Sequence, residues 1–142
     1  MGVQYFDVAH AINVHDDIID KSGGLHGIIN EGLLASTLDH LQNDFYYESF
    51  VDKACHLFYS INKNHCFQDG NKRASIALTA YFLEINGLDY KVSHFMVQME
   101  NIAVHVADNK IDRDLLHEII DSIIYESDYS ESLKLKIFNA LL

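Results

Sequence analysis

Residues 65–73 read His65-Cys66-Phe67-Gln68-Asp69-Gly70-Asn71-Lys72-Arg73, a polar interruption between two apolar stripes whose spacing decides the fold. Ahead of it, Val51, Ala54, Cys55, Phe58, Tyr59 and Asn62 mark a helix that is apolar on most of its circumference, as a central helix is. Behind it, Ala74, Leu78, Tyr81, Ile85 and Leu88 alternate steps of four and three, and Asn86-Gly87 supplies the C-terminal stop. The interruption is therefore a loop between two helices.

Working outward, Tyr5, Val8, Ile12, Ile18 and Ile19 predict a helix from Tyr5 to Lys21, stopped by Ser22-Gly23-Gly24. A glycine-rich stretch carrying Gly23, Gly24, Gly27 and Gly32 leads into a short helix marked by Leu33, Leu34, Thr37, Leu38 and Leu41. On the far side, Ser93 is read as the N-cap of a helix carrying Phe95, Met96, Met99, Ile102, Ala103 and Val106. Asp112 caps one carrying Leu115, Leu116, Ile119, Ile120, Ile123 and Ile124, and residues 130–142 form a last helix. The chain has no proline, which suits long helices and not a turn-rich β-protein. The expectation is an all-α, compact bundle of about six to eight helices, in one domain over residues 1–142.

Apolar residues make up 49% and charged residues 22%, so the chain carries enough hydrophobic surface to fold. Its 21 acidic residues against 10 basic ones leave a net charge of −11, which repels phosphate backbones and anionic membranes. Nucleic-acid and membrane partners are disfavoured. Cys55 and Cys66 are too few for a disulfide scaffold, no secretory leader precedes Tyr5, and no apolar run reaches the roughly 18 residues of a bilayer span. A cytoplasmic location is expected.

The chemistry concentrates in the quoted loop. The first turn of a helix presents unsatisfied N–H groups and the positive end of the helix dipole, so a loop closing at Gly70-Asn71 is a prepared anion site. Lys72 and Arg73 add cations there, and Gly70 permits close approach of an anion to the backbone. Asp69 repels a bare phosphate, a conflict that Mg²⁺ resolves by bridging carboxylate and phosphate oxygens. A histidine has a reference pKa of about 6.5, so His65 can take a proton from an attacking hydroxyl near neutral pH. Phe67 is expected to turn inward and anchor the loop. Taken singly each residue is ordinary loop chemistry; as a nine-residue constellation they point to a nucleotide site.

The stretch resembles the signature of the Fic/Doc family, His-x-Phe-x-Asp/Glu-Gly-Asn-Gly/Lys-Arg, at His65, Phe67, Asp69, Gly70, Asn71, Lys72 and Arg73. Leu57 to Asn64 and Ala74 to Gly87 resemble the helices that flank that signature. The segment Gly23-Gly24-Leu25-His26-Gly27 followed by Gly32-Leu33-Leu34 is similar to the glycine-rich stretch of the death-on-curing branch. The resemblance implies a Fic fold and transfer from ATP, or another nucleoside triphosphate, to a protein hydroxyl. By it His65 is the base, Asp69 the Mg²⁺ ligand, and Gly70, Asn71, Lys72 and Arg73 the phosphate cradle.

Two departures select the subtype. Lys72 stands where AMP-transferring members usually have glycine, and Ile76 where they carry a second arginine. Ile76 offers no hydrogen bond to phosphate. The pattern resembles the death-on-curing branch, which transfers the terminal phosphate; AMP transfer is the alternative. That branch implies a toxin paired with a small antitoxin, with a translation elongation factor as the modified protein. Its glycine-rich segment often has an arginine near Ile29 or Asn30, absent here. Ser122 to Glu126 and Ser127 to Glu131 have the spacing of the family's self-inhibitory motif, but Ser127 and Ser132 stand where that motif ends in glycine or asparagine.

Two rival readings remain. His15-Asp16 invites a metal-dependent phosphohydrolase, but the remaining histidines show no matching ligand pattern. A partner-binding protein that kept the fold and lost activity would lack the base or the metal ligand, and both are present. Phe45-Tyr46-Tyr47 is either a docking patch or packing between helices, and Met96 and Met99 are read as core.

Overall fold

The structure, a computed structural model, describes residues 2–142. Among them are seven α-helices: α1 (Val8–Ser22), α2 (Glu31–His40), α3 (Phe50–Lys63), α4 (Asn71–Ile85), α5 (Val92–Ala107), α6 (Arg113–Tyr125) and α7 (Glu131–Leu141). There is no strand among the described residues, and one isolated antiparallel bridge joins Ile28 and Phe67. The expected all-α bundle is the observed architecture.

Local chemistry sets the helix boundaries. Asp7 accepts from the His10 N–H at 2.9 Å, so α1 starts at Val8 and leaves Tyr5 and Phe6 outside the helix. Ser49 and Asp52 form a capping box that starts α3, each side chain accepting from the other's backbone N–H. Asp112 and Ser130 cap α6 and α7 through the N–H groups of Leu115 and Leu133. Ser93 does not cap α5. A 3₁₀ turn over Asp89–Lys91 runs directly into Val92, which places Ser93 inside the helix.

Helix α3 is central, as its nearly all-round apolar pattern predicts. Ala54, Leu57, Phe58 and Ile61 are fully buried, and α3 packs on α4, α6, α5 and α2. Asn62, buried in this core, donates its amide to the carbonyl of Ala103 at 3.0 Å and so ties α3 to α5. Lys53 is also enclosed. Its stem is buried while its ammonium donates to the Leu41 carbonyl (3.0 Å) and the Asp44 carboxylate (2.7 Å).

Two sequence expectations resolve here. Met99 is core, but Met96 is 44% exposed and lines an open groove that α5 shares with α1 and α4. In the aromatic run, Tyr47 stacks on His56 at 4.3 Å, whereas Phe45 and Tyr46 stand mostly in solvent. Among the described residues no helix is long and apolar enough to cross a membrane.

Candidate active site

Helix α3 ends at Lys63, and residues 64–70 carry the chain across to α4. His65 occupies the left-handed region at φ 49, a conformation uncommon outside glycine, and its side chain is exposed. No hydrogen bond engages its ring among the described residues. Cys66 and Phe67 then turn inward and are buried, Phe67 to 1% exposure. Burial of a phenylalanine at that depth contributes about 1.5–3 kcal/mol. Phe67 thus points into the core between His65, whose side chain is exposed, and Asp69, which is partly exposed.

Two further sets of contacts hold the loop in shape. Asn71 closes it from within: its side-chain oxygen accepts from the Phe67 N–H (3.1 Å) and its amide donates to the Phe67 carbonyl (3.0 Å). The Asn71 side chain is therefore committed to the loop, leaving its backbone N–H as the group that faces the helix start. The glycine-rich segment closes the loop from without. The N–H groups of Ile29 and Asn30 donate to the Cys66 carbonyl at 2.7 and 3.0 Å, and Gln68 N–H donates to the Gly27 carbonyl at 2.9 Å. Asn30 then caps α2 by accepting from Leu33 N–H. The glycine-rich stretch is thus a backbone clamp on the motif loop.

Asp69 sits where these elements meet. One carboxylate oxygen accepts from Leu25 N–H at 3.1 Å and the other from Gly70 N–H at 2.8 Å. Those two donors hold its pKa below the ordinary carboxylate range, with smaller help from the positive charge of Arg73. Leu25 can reach the carboxylate because its neighbour has no side chain: a Cβ on Gly24 would lie 2.6 Å from an Asp69 oxygen.

Helix α4 opens at Gly70, which adopts φ 75, and no side chain caps it. The first N–H groups of a 15-residue helix are left for an external acceptor. Lys72 beside them is exposed. Arg73 is half-buried and turned back: one guanidinium nitrogen donates to the Ser22 hydroxyl (2.6 Å) and the Gly23 carbonyl (2.8 Å), which fixes the C-terminus of α1. Its other terminal nitrogen lies between Gly24 and Gly70, where a Cβ on either would approach to 3.1 and 3.3 Å.

Mg²⁺ fits this donor set in one specific way. No group of three His, Cys, Asp or Glu side chains able to hold a metal occurs among the described residues. Asp69 is ionised, and each carboxylate oxygen keeps a lone pair beyond the one given to an N–H. One such carboxylate suits an ion that arrives with phosphates and waters.

Beside Arg73, a groove of about 470 Å³ runs between α1, α4 and α5, walled by Ile18, Ile76, Ala77, Met96 and Val97. Ile76 presents only hydrocarbon there. His15, one half of the rival His15-Asp16 pair, is not open to solvent at all. It is 1% exposed, stacked on Phe67 with ring centroids 3.9 Å apart and planes within 4°, and its Nε2 lies 2.6 Å from the Asp69 carbonyl oxygen. The neighbouring Asp16 pairs with His26, which bridges Asp16 and Asp20 at 3.2 and 2.7 Å.

Sequence reasoning named His15 only as half of a rival metal pair and gave no role to the Leu25 N–H or to the clamp contacts of Gly27 and Ile29. Only the glycine spacing signalled any of them.

Residues 5–83 match the Fic/DOC family, a span that includes the motif loop, the glycine-rich clamp and His15. Over 96 residues the chain is 32% identical to Toxin Doc of Mycolicibacterium smegmatis (strain ATCC 700084 / mc(2)155), covering 65% of this chain and 74% of that protein.

Proposed function

The chain belongs to the Fic/DOC family, and from that premise we propose that it transfers the terminal phosphate of ATP to a hydroxyl of a target protein. The observation that carries this reading is an exposed, unengaged His65 imidazole on the same short loop as an ionised Asp69 and the uncapped start of α4. In the proposed reaction the triphosphate rests against the N–H groups of α4, with Lys72 and the free guanidinium nitrogen of Arg73 balancing its charge. His65 takes the proton of the incoming hydroxyl as its oxygen bonds to the terminal phosphorus. The bond from that phosphorus to the bridging oxygen breaks, and ADP leaves with the electron pair.

Mg²⁺, held by Asp69, would supply charge neutralisation on the phosphates. The remaining work falls to the protein. Phe67 and Asn71 keep the loop from collapsing, and the glycine-rich clamp keeps Asp69 aimed outward.

Phosphate transfer is favoured over AMP transfer by the hydrocarbon surface at Ile76, which provides no donor for a second phosphate grip along the groove. Likeness to a protein named Toxin Doc supports a toxin role. Following the resemblance drawn from the sequence, the proposed target is a translation elongation factor and the proposed partner a small antitoxin.

The test is to incubate the protein with bacterial lysate and ATP labelled at the terminal or the α-phosphate. Terminal label on one protein band, lost with His65→Ala, is the expected result. Label from the α-phosphate alone assigns AMP transfer instead. No label from either, with folded protein, leaves the partner-binding alternative.

A further inference from the structure

We infer that His15, on α1, is a positioning residue that fixes the Asp69–Gly70 peptide and thereby the aim of the Asp69 carboxylate. A carbonyl oxygen only accepts, so the 2.6 Å contact requires a proton on His15 Nε2. Among the described residues it is the only hydrogen bond that the Asp69 carbonyl receives. The ring is held in place by its parallel stack on Phe67 and by near-complete burial.

This contact matters because the peptide it holds precedes a glycine. Gly70 stands at φ 75, and glycine populates both signs of φ with similar ease, so no Cβ at Gly70 opposes rotation of the 69–70 peptide plane. Rotation would swing the Asp69 carbonyl toward the start of α4, placing a negative dipole where phosphate is proposed to bind. It would also remove the Gly70 N–H from the carboxylate it now serves at 2.8 Å. His15 opposes that rotation from outside the loop, across 54 residues of sequence. The consequence for a Mg²⁺-bound nucleotide rests on the role proposed above for Asp69; the peptide-locking step does not.

Two substitutions separate donor from stack. H15F keeps an aromatic ring on Phe67 and loses the donor; H15Q sets an amide nitrogen near the Nε2 position and loses the ring. With both variants folded, calorimetry of ATP with Mg²⁺ is expected to show about tenfold weaker binding for H15F and recovery to within about threefold for H15Q, the size typical of groups supporting a metal ligand. In the free protein, the Gly70 amide resonance is expected to be single in the parent and H15Q and doubled or broadened in H15F. Equal losses in both variants, or an unchanged Gly70 amide in H15F, overturn the inference. If the parent binds no nucleotide, the functional proposal fails while the Gly70 signal still decides the role of His15. Should H15F not fold, the imidazole nitrogen spectrum of the parent decides: a proton on Nδ1 instead of Nε2 refutes it.

Discussion

Substituting Gly24 by alanine tests whether the glycine-rich clamp sets the candidate site. Gly24 stands at φ +119, and an added Cβ would meet an Asp69 carboxylate oxygen at 2.6 Å, the Ile19 side chain at 3.0 Å and Arg73 at 3.1 Å. Gly23, at φ +89 with nothing within 4 Å of its virtual Cβ, is the natural control. Both substitutions carry backbone strain of about 1–3 kcal/mol. Only G24A must also displace the Asp69 carboxylate from the Leu25 N–H. For a chain of 142 residues, unfolding entropy of about 0.3 kcal/mol per kelvin converts 1 kcal/mol into about 3 °C of Tm. The Tm from circular dichroism is therefore expected to fall by about 6 °C for G23A and by several degrees more for G24A. Mg²⁺-dependent nucleotide binding is expected to be lost mainly in G24A. Equal Tm losses within about 2 °C would mean that the Gly24 to Asp69 approach plays no part in holding the site.

Two more outcomes are expected from the same geometry. His65→Asn, which tolerates the left-handed backbone at φ 49, is expected to abolish label transfer while moving Tm by less than about 3 °C, because the His65 ring is exposed and unbonded; transfer that survives in H65N removes the imidazole from the chemistry. Burial, reinforced by the nearby Arg113 charge, pushes the His56 pKa down to about 4 from an ordinary value of about 6.5. Between those values the unfolded chain binds a proton that the folded chain refuses, so stability should fall as pH drops from about 6.5 to about 4. A His56→Phe variant should show a shallower decline in Tm across that window, and an identical slope would refute the assignment.

The motif loop was legible because its parts are consecutive. A helix start, a glycine that can take a positive φ and two cations succeed one another from Asp69 to Arg73, and such local rules act over a few residues whatever the rest of the chain does. The inward turn of Phe67 and the central place of α3 were readable for a similar reason, since burial tracks apolar periodicity. Ser93 misled because a good capping residue was overridden by the 3₁₀ turn that delivers the chain straight into α5. Met96 misled because a helical stripe does not say how wide a neighbour's coverage is.

By itself the sequence determined the helical bundle, the location of the candidate site and the kinds of side chain in it. Only the tertiary structure decided how those side chains are used: Asn71 as a brace for Phe67, Arg73 as a tie to Gly23, Leu25 as a donor to Asp69 and His15 as a buried support. Those four contacts span 4, 50, 44 and 54 residues. The three long ones exist only because packing of α1 against α4 brings the glycine-rich backbone within hydrogen-bonding distance of the loop, a closeness that no local pattern of residues encodes.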